Sequence, residues 1–496
     1  MNKIMCPHIA EVNVIAAVSF KCRPVYLFKC ICIIFFIWLS NGTVGAQTDS
    51  TLTIRKLFEQ VKSFHPVALV ADIQVSKADA SLLKARGSFD PVINSTLDHK
   101  QFEDKSYFSL FDGGLKIPTK FGAQFKTGYE YNRGVFLNPE NNNPTNGLIY
   151  AGVSLPLGQG LLTDESRASL KNAEIGRDVA VNYKKDLLNQ LLYQAVVHYW
   201  EWFRSYHARE IYIAALRNAT ERYQAVISNT KSGDVPGIDS IEARIQLQLI
   251  EASLNQANLE YNNISLQFST FLWNNEKVNS GLLQSDQPMK MEKNDDSPSE
   301  IFNLKFRPEY VEQHPYLTQL NLKLQQADID RKLKQDRIKP ILNLQFNPLA
   351  EPIGNQTITN LTINNFKWGF EFKMPLLLRK ERGDLKLAEY KIQESQLEIE
   401  NLKAKLYSLY SGNMEWQSLR EQTAIYSETV ANYERMLYAE TRLFEVGESS
   451  LFLVNSREQA YINARIKFIE LLAKSKKSYY AALYAAGLLP DAEINE

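Results

Sequence analysis

Two hydrophobic periods alternate along this chain, in the same order twice. From Asp164 to Asn229 the period is helical: Leu188, Leu192, Ala195, Tyr199, Phe203 and Tyr206 recur every three or four residues, with no proline and one glycine, Gly176. A helix of that extent is about 100 Å long at 1.5 Å per residue. Residues 384–446 repeat the pattern, with Ile399, Leu402, Leu406, Leu409 and Trp416 as the stripe and Gly412 inside. Each long helix runs into a glycine-containing turn, Lys231-Ser232-Gly233-Asp234-Val235-Pro236-Gly237 or Glu445-Val446-Gly447-Glu448-Ser449-Ser450. Return helices follow over 238–273 and 451–486, the second striped by Ile462, Ile466, Ile469 and Ala473. Glycine suits the left-handed residue that ends a helix. Helices with such stripes pack side by side as coiled coils or bundles.

Ahead of each long helix the period falls to two. Phe366, Trp368, Phe370, Phe372 and Met374 alternate with Lys367, Gly369, Glu371 and Lys373. Leu342, Leu344 and Phe346 alternate with Asn343 and Gln345, and Ala123, Phe125, Thr127, Tyr129 and Tyr131 with Gln124, Lys126, Gly128 and Glu130. Residues 92–103 and 147–156 are weaker versions. Such alternation predicts strands with one apolar and one wet face. Aromatics dominate the apolar face, as in the interfacial girdle of a lipid-embedded barrel, with Tyr129, Tyr131, Phe366, Trp368, Phe370 and Phe372 as candidates. About four strands are expected. That is too few to close a barrel alone, since known barrels start at roughly eight, so a membrane barrel here needs several copies. Short helices precede the strands, at 52–64 and 66–88 and at 301–313 and 315–338, broken at His65-Pro66 and His314-Pro315. Proline fits a first helical turn, and the histidines read as boundary residues rather than metal ligands.

The two passes share landmarks. His65-Pro66 and Pro91 recur at an offset of 249 as His314-Pro315 and Pro340. Leu155-Pro156-Leu157 recurs as Met374-Pro375-Leu376 at 219, so 30 extra residues lie between Pro91 and Pro156. Arg167, Leu170, Lys171, Ala173 and Glu174 match Arg382, Leu385, Lys386, Ala388 and Glu389 at 215, and Gly233 matches Gly447 at 214. This ordered set predicts an internal duplication. The first repeat is 47–273, with a β-hairpin over 91–157 and a helical hairpin over 164–273. The second is 301–490, with a β-hairpin over 340–376 and a helical hairpin over 380–486. Residues 274–300, polar and with two prolines, are the linker.

Composition narrows the setting. Residues 1–46 carry Lys21, Arg23 and Lys29, then the apolar run 30–39, then Val44-Gly45-Ala46, the order of a secretory signal cut after Ala46. All four cysteines, Cys6, Cys22, Cys30 and Cys32, fall in it, so the remainder has no disulfide or thiolate site. Formal net charge is zero overall and about −3 beyond residue 46, which argues against nucleic-acid binding. No later run of 18 apolar residues exists, so an exported chain of this kind is soluble or crosses a membrane as a closed β-barrel. No metalloprotease, nucleophile-elbow, phosphate-loop or dinucleotide motif occurs, and the histidines beyond residue 46 are scattered. The expectation is no enzyme, no cofactor and no metal. A secreted coiled-coil scaffold without a pore is the alternative to a channel.

With these features the chain resembles the TolC-type outer-membrane efflux protein family over about residues 50 to 490. The carrying features are the duplicated helix–strand–helix halves, the X-Pro breaks, the prolines at strand–helix junctions, the exits 155–157 and 374–376 into helices with an early arginine, and the glycine turns. The resemblance implies an α+β membrane protein in the cell outer membrane, a homotrimer with four strands per protomer in a 12-stranded β-barrel continuous with a periplasmic α-helical barrel. It implies docking of the tips (Ser232, Gly233, Asp239, Val446 and Gly447) onto a periplasmic adaptor protein and an inner-membrane transporter, and passive conduction in efflux or type I secretion. Family members close the tip with acidic residues six and nine positions after the second-half glycine; here these are Leu453 and Ser456. The closing tyrosine three before it is Phe444, which has no hydroxyl, while the first-half aspartate is present as Asp239. Phe444, Leu453 and Ser456 are therefore the candidate gate, closed by apolar packing. A Leu453 that merely packs in the coil is the alternative.

Overall fold

The computed structural model describes residues 50–282, 286–290, 308–352, 364–411 and 413–491. The predicted signal, residues 1–46, lies outside the described residues, as do 301–307 of the expected helix 301–313 and much of the linker. Short helices α1 (Ile54–Phe64) and α2 (Pro66–Arg86) lead into strands β1 (Val92–Phe102), β2 (Lys105–Pro118), β3 (Gln124–Arg133) and β4 (Leu148–Pro156). Helices α3 (Glu165–Ser232) and α4 (Gly237–Ser269) complete the first pass. The second pass runs α5 (Pro308–Glu312), α6 (Pro315–Asp336), β5 (Ile341–Ala350), β6 (Phe366–Lys373), α7 (Arg379–Ser411), α8 (Asn413–Glu445) and α9 (Leu451–Ala485). Of the long helix expected over 384–446, α7 and α8 are the parts on either side of residue 412, which lies outside the described residues.

Local chemistry explains the boundaries. Each His-Pro pair is a helix start in which the imidazole caps and the proline fills the first position, where its missing N–H costs nothing. Val67 N–H donates to His65 Nδ1 and Tyr316 N–H to His314 Nδ1, both at 3.2 Å. Burial lowers the pKa of both rings, that of His314 to about 4, so a neutral acceptor nitrogen is available. The histidines are boundary residues, as expected. Asp164 caps α3, accepting from Arg167 N–H at 2.8 Å and from its Nε at 2.9 Å.

The strands correct the expectation of about four per chain. They form one six-stranded antiparallel sheet in the order β1-β2-β3-β4-β5-β6. The strand missing from the sequence reading is β2, and the 30 extra first-pass residues are accommodated by a second hairpin. Chain order runs unbroken from β4 to β5 across the two passes, so both contribute to one wall.

Below the sheet, α3 is the organising element, packed by α1, α2, α4, α6 and α9. Its expected stripe is buried at Leu192, Ala195, Tyr199 and Phe203, and the core also takes Trp200 and Trp202. Trp202 stacks on Phe268 of α4 at 5.2 Å, and Tyr199 donates to Leu52 O at 2.9 Å.

One charge in this core sets a pH dependence. Asp186 of α3 is 4% exposed and accepts a hydrogen bond from Gln190 Nε2 at 2.8 Å. Burial raises its pKa from the usual 3.8 to about 6. The fold holds the extra proton, so this contribution is complete below the unfolded pKa and disappears as pH rises through about 6. At pH 7 the ionised group opposes folding by on the order of 3 kcal/mol. Asp186→Asn is expected to raise the denaturant midpoint at pH 7 and leave it nearly unchanged at pH 4. Equal shifts at both pH values would contradict this account.

Candidate channel wall and helical tip

Register sorts the sheet's side chains into two sets. Phe125 of β3 pairs with Ile117 of β2 and Val153 of β4, Val153 with Phe346 of β5, and Phe346 with Trp368 of β6. Leu115, Thr127 and Ala151 form the next row, with Ile93 of β1 opposite Leu115. Because side chains alternate with period two, all these share one face, and it is apolar from β1 to β6. The other face takes Lys116, Lys126, Glu130, Gln345, Lys367 and Glu371. Asn343 Nδ2 donates to Glu371 Oε2 across that face at 2.9 Å.

The candidate girdle residues all fall on the apolar face. Tyr129 and Tyr131 stack at 6.1 Å toward the end of β3, and Tyr129 donates to Asn146 O at 2.6 Å. Phe366, Trp368, Phe370 and Phe372 are 48–63% exposed and occupy the full length of β6 rather than its ends.

Glycines shape the polar face. Tyr150 crosses Gly128 and Gly114, donating to Asp112 Oδ1 at 3.1 Å. A Cβ at Gly128 would lie 2.5 Å from Tyr150 Oη and 2.7 Å from Gly113 O, so no larger residue fits with this ring laid along the wall.

At the far end of the helices, Gly233 (φ 82°) and Gly447 (φ 78°) adopt the left-handed conformation predicted for them. Gly233 N–H donates to Thr230 O and Asp234 N–H to Asn229 O, closing α3; Gly447 and Glu448 close α8 on Phe444 O and Leu443 O. Ser232 is the last residue of α3, Asp239 sits in the first turn of α4, and Val446 is 70% exposed. Ser450 then caps α9.

The three candidate gate residues separate. Phe444 is half-buried in a small tip core with Val226, Ala243 and Leu451, alongside Tyr223 and Val235. Leu453 and Ser456 are exposed on the side of α9 opposite the one that buries Leu451, Val454 and Glu458. Leu453 is 39% exposed.

A constellation beside this core was not anticipated. Arg222 of α3 grips Glu458 of α9 with two hydrogen bonds, 2.7 and 3.0 Å, and reaches Asn455 Oδ1 at 2.9 Å. Asn455 Nδ2 in turn donates to Glu242 Oε1 of α4 at 3.2 Å. The Glu458 side chain is 3% exposed. A signal existed: Asn455 and Glu458 sit on the stripe defined by Leu451, Val454 and Ile462, where a polar residue needs a buried partner. Arg222 stands eleven residues before Gly233, and Glu458 eleven after Gly447.

Among the described residues no cluster of three or more metal-ligating side chains exists, and no helix is long and apolar enough to cross a membrane. Neither a family sequence model nor a curated protein sequence matches the chain. Solved structures do. The CmeC outer membrane channel of Campylobacter jejuni aligns with a TM-score of 0.62 and 14% identity, over 90% of each chain. VceC, an outer membrane protein of Vibrio cholerae, aligns at 0.61 and 13%, over 88% of this chain and 96% of its own. The open-state MtrE outer membrane channel of Neisseria gonorrhoeae aligns at 0.61 and 11%, over 88% of each. The fold is that of the TolC-type outer-membrane efflux channels.

Proposed function

We propose that the chain is one protomer of a trimeric outer-membrane channel that passively conducts substrates delivered by an inner-membrane transporter through a periplasmic adaptor. The observation that carries this reading is the two-faced sheet. An apolar, aromatic-rich face continuous over six strands needs burial in a non-aqueous medium, and none of the described helices covers it. The opposite face is polar, as a water-filled lumen requires. The long helices below carry apolar side chains that their own chain leaves exposed, Ile238, Ile241, Ile245 and Leu249 along α4 and Ile425, Met436 and Leu443 along α8. Neighbouring protomers would bury these as a helical barrel, and the glycine turns at 231–239 and 445–453 would meet the adaptor. The test is direct. The protein should fractionate with outer membranes, require detergent for extraction, run as a trimer in native mass spectrometry and form conducting pores in planar bilayers. A monomer soluble in plain buffer would instead support the poreless scaffold.

At the tip, the proposal places Leu453 from each copy in an apolar constriction that closes by excluding water. Leu453→Asp is expected to convert this into a carboxylate ring, making conductance sensitive to millimolar divalent cations where the parent is not. Divalent block of the parent channel would overturn the apolar gate.

A further inference from the structure

The six-stranded sheet ends in two open edges. Among the described residues β1 pairs only with β2, and β6 only with β5. β1 is exposed along all eleven of its residues and β6 along all eight. Neither strand contains a proline, so the rows of backbone N–H and C=O groups are fit for pairing. An open edge of this length is a template for another strand, and within hydrocarbon it has to be paired.

The two edges are complementary in direction and in face. Every adjacent pair in the sheet is antiparallel, so β1 and β6, at opposite ends of six strands, run in opposite senses. Laid edge to edge between two copies, they continue the antiparallel pattern without interruption. Ile93 and Leu97 on β1 belong to the same apolar face as Phe370 and Phe372 on β6, so the join keeps one face apolar and the other polar. The β1–β2 hairpin is an integral part of this wall. Its ladder runs over eleven residue pairs, and β2 joins β3 over ten more.

Resting on the channel reading above, we infer that the surface closing the barrel is the β1 edge of one copy against the β6 edge of the next. Three copies then contribute eighteen strands, and the twelve-stranded barrel implied by the family resemblance does not apply to this chain. With strands about 4.8 Å apart and tilted about 40°, the backbone cylinder widens from about 12 to about 18 Å in radius. Barrels of 16 to 18 strands leave an aqueous channel. The glycines that let Tyr150 lie flat keep the lumen open further.

Cross-linking tests this cleanly, because every cysteine of the chain lies within its first 32 residues. Cysteine at Ser95 or Thr96 of β1 would be combined with cysteine at each β6 position in turn, in the full-length protein. A parallel set would carry Lys126→Cys or Thr127→Cys on β3, the strand that would meet β6 of the neighbour if the first hairpin stood outside the wall. After oxidation in outer membranes, non-reducing gels are expected to show covalent trimers for at least one β1–β6 pair and none for the β3–β6 set. Covalent trimers from β3–β6 overturn the eighteen-stranded wall. So do native trimers in which neither set cross-links, and in both cases the channel reading stands. If no trimer is found by native mass spectrometry and neither set cross-links, the channel reading falls and the edge pairing with it.

Discussion

Glu458→Ala is expected to leave the tip unlatched, seen as new protease cleavage within 231–239 and 445–453 and, on the channel reading proposed above, as pores that stand open far more of the time in planar bilayers. The Arg222–Glu458 pair joins α3 to α9, and through Asn455 and Glu242 it also holds α4, just above the turns. Removing one member of a buried ion pair costs about 3–5 kcal/mol, because the remaining charge is left desolvated and unpaired. Arg222 is mostly enclosed, and its simplest relief is to swing toward water, which separates α3 from α9. The double variant Arg222→Met, Glu458→Leu separates charge from packing. Apolar replacement of a whole buried pair is often neutral or stabilising, so this variant is expected to return both readouts to near the parent level. A Glu458→Ala variant with parental bilayer behaviour and parental protease resistance would show that the pair does not hold the tip.

Trp202→Ala is expected to be the most damaging single change in the helical core, lowering stability by about 3–5 kcal/mol. The indole is fully buried, stacked on Phe268 and edge-on to Tyr199 at 5.8 Å, between the two longest-packed helices of the first pass. Its Nε1 is also buried and has no hydrogen-bond partner among the described residues. Trp202 therefore acts through volume and stacking, without help from its N–H. Trp202→Phe should keep most of that stabilisation and lose less than about 1.5 kcal/mol, since it removes an unsatisfied donor along with part of the ring. Denaturant midpoints of the three proteins in detergent decide the matter. Equal losses for Ala and Phe would mean that the indole nitrogen matters after all.

The stripe through Leu192, Ala195, Tyr199 and Phe203 was legible because a two-helix contact repeats with the helical period. Trp202 fell outside that stripe because α3 is wrapped by helices on several sides, which widens its buried arc beyond the narrow stripe of a two-helix contact. The glycine turns were legible because φ above zero is a local demand on residue type, met at Gly233 and Gly447. Strand β6 was legible because one of its faces is aromatic and the other charged. Strand β2 was not: Tyr107-Phe108 and Leu110-Phe111 put apolar groups on both faces and Gly113-Gly114 removes two side chains, so period two is lost. The 30 extra residues were visible as a length, and their hairpin was not.

Local sequence thus determined where the chain is helix, where it alternates and where it must turn, because those depend on backbone preferences and on the face each residue presents to its near neighbours. Only tertiary structure decided that β4 continues into β5 across some 185 residues of chain, merging two hairpins and an extra one into a single two-faced wall. It also decided that Arg222 and Glu458, each at an ordinary coiled-coil position, meet as a buried pair. Partners so far apart are chosen by packing and desolvation, and no window along the chain contains both.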